Sequence, residues 1–190
     1  LDHNKDGFRD QPYGSQFSFS NRWKYDDAKG MVVQFGASIF NNHRTGGEIT
    51  FNPSIEKDDL KHYGLGIKID RYEAFGKVGY VFPNKQYKSI GLQFSGFQHH
   101  HHSYFGLRHY NGHQDNFYGN FIYQSIIKNT EHKFRTGLSL LYDDYEEIID
   151  KEEFNRKEIV PGAFFEYTWS PVKNFDVVLG IRGDYNNLFG

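Results

Sequence analysis

The residues best suited to chemistry open the chain, in Asp2-His3-Asn4-Lys5-Asp6-Gly7-Phe8-Arg9-Asp10. The spacing D-x-N-x-D-G-x-x-D sets oxygen donors at loop positions one, three, five and nine, from Asp2, Asn4, Asp6 and Asp10. Gly7 supplies the sharp turn at position six, and the Phe8 carbonyl follows at seven. Calcium, a hard cation, favours such a set because carboxylates bring charge and the turn lets oxygens converge. The pattern departs from a helix-flanked calcium loop at Tyr13, where a bidentate Glu belongs, and no helical pattern flanks it. Two readings stay open: a weak calcium loop, or an acidic turn held by its own side chains.

A second candidate is the run His99, His100, His101 and His102, with His109 and His113 close behind. Neutral imidazoles bind zinc, copper or haem iron. In an extended chain neighbouring side chains point to opposite faces, so four in a row do not converge on one ion unaided. The plain alternative is a solvated loop. The polar set Glu166, Arg182 and Asp184 alternates with greasy residues and is expected to face a lumen, pairing within itself or with other parts of the protein rather than touching substrate. Ser and His fall in no recognisable nucleophile-and-base motif, and Cys is absent, so no enzymatic activity is expected. No cofactor is required beyond the calcium that the first loop would hold.

The elements that position these residues have a period of two. Near the end Phe175, Val177, Leu179 and Ile181 alternate with Asp176, Val178, Gly180 and Arg182. Ala163, Phe165, Tyr167 and Trp169 repeat the pattern, as do Phe134, Leu138, Leu140 and Tyr142. So do Phe117, Phe121 and Tyr123; Ile90, Leu92 and Phe94; Val33, Phe35, Ala37 and Ile39; and Phe17, Phe19, Trp23 and Tyr25. Residues 63–82 form one long strand-like stretch whose apolar phase changes between Ile69 and Ala74, which suggests a bulge or a missed turn. About eight strands of roughly ten or more residues result. Short connections rich in turn formers fall at 26–30, 83–86, 128–132 and 170–174, and long ones at 1–14, 41–61, 98–114 and 147–158.

Composition agrees with half-exposed strands. With 14 Tyr, 19 Phe and 20 Gly the chain is aromatic, yet only 37% of its residues are hydrophobic. Alternating strands in a bilayer produce this mixture, since only every second residue meets lipid. The formal charge of −2 provides no basic footprint, so nucleic acid is not expected as a partner. No apolar run approaches the roughly 18 residues of a spanning helix, and no charged-then-apolar leader follows Leu1, so a secretory signal is expected outside this segment. A propeller blade would fit four short strands into about 40–45 residues, where this chain fits two long ones. The expected fold is all-β: an antiparallel transmembrane β-barrel segment over residues 1–190, with short periplasmic turns and long extracellular loops.

Several blocks resemble the barrel of TonB-dependent outer-membrane receptors: Asn21-Arg22-Trp23, Gly76-Lys77-Val78-Gly79-Tyr80-Val81-Phe82, and Ser103-Tyr104-Phe105-Gly106-Leu107-Arg108. The stretches 120–127 and 142–146 are similar, and the most specific are 158–167 and Gly180-Ile181-Arg182-Gly183-Asp184-Tyr185. The resemblance implies a barrel of about 22 strands with a plugged lumen, of which this chain is a slice without plug, coupling box or closing strand. It further implies active uptake of a scarce large nutrient (an iron chelate, haem or cobalamin) by a protein of the cell outer membrane. Its partners would be its own N-terminal plug domain, the TonB energy-transducing complex, the extracellular ligand and outer-membrane lipid. The alternatives are a non-transporting structural or adhesive outer-membrane barrel and, structurally, a complete small barrel of eight strands.

Overall fold

A computed structural model describes residues 2–55 and 61–189. Among these no helix occurs; nine strands form a single antiparallel sheet. In chain order they are β1 (Tyr13–Asp26), β2 (Met31–Gly47), β3 (Gly64–Val81), β4 (Ser89–Phe105), β5 (Arg108–Ile127), β6 (Asn129–Ile149), the two-residue β7 (Glu152–Glu153), β8 (Arg156–Val172) and β9 (Phe175–Asp184). Each long strand pairs with the next, and β7 extends only β6. The sheet is open: among the described residues β1 and β9 do not pair with each other.

Strand alternation sorts the side chains into two faces with opposite chemistry. On the first face, register partners form continuous apolar rows across the sheet. One row reads Phe35, Gly76, Phe94, Gly119, Leu140, Pro161, and the next reads Val33, Val78, Leu92, Phe121, Leu138, Ala163. Phe165 stands opposite Ile181 and Tyr167 opposite Leu179, extending this face to β9. The second face carries Lys24, Gln34, Lys77, Gln93, Asn120 and Ser139 in one such row. Glu166 and Arg182 lie on this second face, one residue out of phase with Phe165 and Leu179.

No second layer covers the apolar face. Leu138 is 62% exposed and Leu179 63%, while the only buried large hydrophobics among the described residues are Phe51 and Tyr104. A soluble sandwich buries the inward-facing row of each strand; this sheet leaves it bare. Glycines on the second face make room for cross-strand aromatics. A Cβ on Gly36 would stand 2.6 Å from the Phe75 ring, and one on Gly137 2.5 Å from that of Phe164.

Connections differ between the two ends of the sheet. Asp27 to Gly30 join β1 to β2, Phe82 to Lys88 join β3 to β4, Lys128 alone separates β5 from β6, and Lys173-Asn174 separate β8 from β9. These short links all lie at one end. Lys128 and Asn174 take positive φ of 67° and 71°, which closes such tight turns.

The opposite end corrects the sequence reading. Residues 98–114 are not a loop: β4 continues to Phe105, β5 starts at Arg108, and only Gly106 and Leu107 lie between them. Strand pairing also takes residues 41–47 of the segment 41–61, through Gly47 on β2, and most of 147–158, through Ile149 on β6, β7 and the start of β8; residues 56–60 of the former segment, and Leu1 of the first, lie outside the described residues. Polar composition misled here because a two-stranded hairpin with both faces polar still satisfies its backbone by cross-strand hydrogen bonds. Nor does β3 contain a bulge between Ile69 and Ala74, since its register to β2 and β4 runs unbroken from end to end. The phase change arises because the first face turns polar beyond Tyr72, at Asp70 and Lys68, while Ile67 and Ile69 lie on the second. Register shifts occur instead at Ile126/Ile127 and at Trp169/Val172.

Candidate functional site

The densest collection of chemistry-bearing side chains lies on the β4–β5 hairpin, beyond the apolar rows. The tight turn at Gly106-Leu107 fixes the register so that His100 faces His113 and His102 faces Asn111. Alternation splits the run as expected: His100 and His102 fall on the first face, His99 and His101 on the second. His100 and His113 approach Nδ1 to Nδ1 at 3.1 Å, with ring centroids 4.3 Å apart. The other nitrogen of His113, Nε2, stands 3.1 Å from Asp115 Oδ2. His102 Nδ1 makes a short hydrogen bond to Asn111 Oδ1. Asp70 on β3 and Glu146 on β6 flank the His100–His113 pair in the same register row. Asn41 Nδ2 donates to Asp70 at 2.7 Å, and Lys68 Nζ lies 3.4 Å from it.

On the second face His101 packs edge-on against Tyr110 at 5.1 Å and against His99 at 6.2 Å. His99 Nδ1 and His101 Nε2 are buried atoms without a hydrogen-bond partner. On the first face a depression of about 520 Å³ adjoins the His100–His113 pair, lined in part by His102, Glu146, Ile148 and Asn155.

The acidic turn is organised by its own backbone. Asp2 Oδ1 and Oδ2 accept the N–H groups of Asp6 and Gly7 at 3.2 and 3.0 Å; Asp6 Oδ1 accepts the N–H of Phe8 at 2.8 Å. Asn4 Nδ2 donates to Asp6 Oδ2 at 2.9 Å, and the His3 N–H to Asp10 Oδ2 at 2.7 Å. Gly7 takes the positive φ of 86° that the turn reading requires. Phe8 then bridges to Glu48, so the loop is stitched to the residues after β2. Asp2, Asn4, Asp6 and Asp10 thus share one turn. Still, among the described residues no three His, Cys, Asp or Glu side chains form a ready metal-holding group.

Behind this turn sits the small apolar cluster of the sheet end. Phe51 and Tyr104 pack at 6.4 Å between centroids, and Gly64 and Gly66 lie flat beneath their rings. Glu48 ties the cluster to the loop, accepting the Tyr63 N–H at 2.8 Å and contacting His62 Nδ1 at 2.9 Å. These two contacts, the backbone bond foremost, hold the Glu48 carboxyl below its usual range.

The polar set on β8 and β9 divides. Arg182 grips Asp184 through Nε and Nη2, both at 2.7 Å, and reaches Ser139 Oγ at 3.0 Å. Glu166 instead meets Arg135 of β6 at 3.4 Å. Sequence reasoning missed Arg135, Asp115, Asn111 and Glu146 as partners. A hairpin register would have found one of them: with the turn centred on 106–107, any two residues of β4 and β5 whose numbers sum to 213 stand opposite, which sets Asn111 against His102.

Comparison with family models, with curated proteins and with solved structures yields no match to this chain.

Proposed function

We propose that this chain is part of the wall of a TonB-dependent outer-membrane transporter, taking up a scarce large nutrient of the iron-chelate, haem or cobalamin class. The observation that carries the membrane half of the reading is the bare apolar band in register across eight strands. On β8 it runs from Ile159 to Trp169, about 33 Å along the strand at 3.3 Å per residue. At the tilt of about 40° common in outer-membrane barrels this is about 25 Å tall, the height of a lipid-facing band. The first face then meets lipid, and Glu166, Arg182 and Asp184 face the lumen. Trp169, Tyr167 and Trp23, Tyr25 lie toward the short-turn end of the band, where an interfacial aromatic girdle belongs.

Strand length supports an extracellular role for the far end. A tilted spanning strand needs about 9–11 residues, whereas β5 has 20 and β6 has 21. The surplus projects as hairpins bearing His100, His113 and Asp150, and ligand capture belongs on such projections. The transport half rests on the resemblance of the residue blocks named above. Its test is genetic and direct. The full-length gene should encode an N-terminal plug with a coupling box, and the protein should fractionate with the outer membrane. Deleting it should abolish energy-dependent uptake of one nutrient of this class. A full-length gene without a plug would instead favour the structural or adhesive barrel, and fractionation with the soluble phase would overturn both readings.

A further inference from the structure

We infer that the β4–β5 hairpin holds a divalent transition-metal site of the copper, nickel or zinc kind, formed by His100 and His113 across the two strands rather than by the histidine run as such. Two nitrogens each about 2.0–2.1 Å from a metal stand about 2.9 Å apart at a right angle and about 3.4 Å apart at the tetrahedral angle. The 3.1 Å between the Nδ1 atoms lies between these, so an ion enters with shifts of a few tenths of an ångström. Right-angle geometry suits copper(II) or nickel(II), and tetrahedral geometry suits zinc.

The surroundings already orient one ligand. Asp115 Oδ2 accepts from His113 Nε2 at 3.1 Å, which places the His113 proton on Nε2 and leaves Nδ1 with its lone pair toward His100. A carboxylate behind the ligating imidazole is the usual outer-shell support of a metal-bound histidine. In the empty pair the His100 Nδ1–H donates to that lone pair. Metal entry moves the His100 proton to its Nε2, and both Nδ1 atoms then bind the ion with no net change in protonation. Glu146, opposite His113 on β6, is placed to approach as a third donor. The remaining positions stay open to water or to a donor atom of an incoming ligand. His101 and His99 take no part, because strand alternation puts them on the other face.

The test uses the full-length protein in detergent, titrated with copper(II) chloride and followed by calorimetry and electron paramagnetic resonance. The expected result is one saturable site whose spectrum reports two nitrogen ligands. His113→Ala leaves the run 99–102 intact yet should weaken binding tenfold or more, as should His100→Ala. His101→Ala should leave affinity unchanged, and Asp115→Asn should cost roughly tenfold through loss of the orienting carboxylate. Unchanged binding in His113→Ala, or equal losses in His101→Ala and His100→Ala, would assign the metal to the run and overturn the site. A wild-type spectrum with one nitrogen, or with four, would overturn it without any variant.

Discussion

Asp150 and His109 bind each other twice. The Asp150 N–H donates to the His109 carbonyl at 2.8 Å, and Asp150 Oδ1 accepts the His109 N–H, also at 2.8 Å. Arg108 Nε closes the clamp at 2.5 Å from Oδ2. The tip of the β4–β5 hairpin is thereby fastened to the turn after β6, where Asp150 takes a φ of 58°. The His109 backbone bond, followed by the Arg108 charge, holds the Asp150 carboxyl below its ordinary range. A carboxyl depressed in the folded state contributes stability that is fully present above its unfolded value, near about 3.9. That contribution disappears as pH falls through the lower, folded value. Protection of the His109 amide, measured against an unfolded amide at the same pH, should therefore be high and flat above about pH 5 and fall, leaving fast exchange for that pH, under more acid conditions. In Asp150→Asn the fast exchange should already be present at neutral pH; an unchanged rate there would mean that the clamp is held by backbone alone.

Charge placed on the apolar face should separate a lipid-facing wall from a soluble core. Ile181→Arg, opposite Phe165 near the middle of the band, should cost roughly 2–4 kcal/mol in the full-length protein unfolded with urea from lipid vesicles. Val178→Arg, on the opposite face and register-paired with Thr168, should cost much less. Equal penalties would point to a buried core on both sides.

Gly64→Ala should loosen the sheet end without touching the wall. The added methyl lands on the Phe51 ring, one of the two buried large hydrophobics among the described residues. Displacing it should cost about 1–3 kcal/mol locally. Limited proteolysis should then cut faster in the connection between β2 and β3, with cleavage elsewhere unchanged.

Calcium titrated into the full-length protein by calorimetry should saturate one weak site in the acidic turn. Asp6→Ala should remove it, because that change deletes a ligand, a charge and the acceptor of the Phe8 N–H together. His3→Ala should do little, since imidazole suits a hard cation poorly. Heats that fail to saturate in both wild type and Asp6→Ala would leave the turn as one held by its own hydrogen bonds.

Much of the fold was legible because alternation is a local signal. The face occupied by Phe165 or Leu179 follows from counting by twos, and so does the division of the histidine run. Strand ends were less legible. The sequence reading placed 98–114 in a loop because its residues are polar on both faces, and hydrophobic periodicity vanishes where neither face is apolar. The partner of His100 was hidden for the same reason: it depends on a two-residue turn at Gly106-Leu107, and glycine content alone does not fix a register. Glu166 and Arg182 share one face of the sheet by the same count, but the distribution of their partners is a matter of side-chain reach. Arg182 folds back on its own strand to Asp184, leaving Glu166 to Arg135.

The two open edges carry a rule of parity. β1 travels toward the end with the short links, and β9 travels away from it. Edges that run in opposite senses can be joined antiparallel only by an even number of additional strands, zero included. A closed wall of about 22 strands would draw about fourteen from elsewhere in the protein, which satisfies the rule. The same geometry sends the backbone before Tyr13 and the backbone after Asp184 out through one rim, the rim that bears the acidic turn and the histidine hairpin.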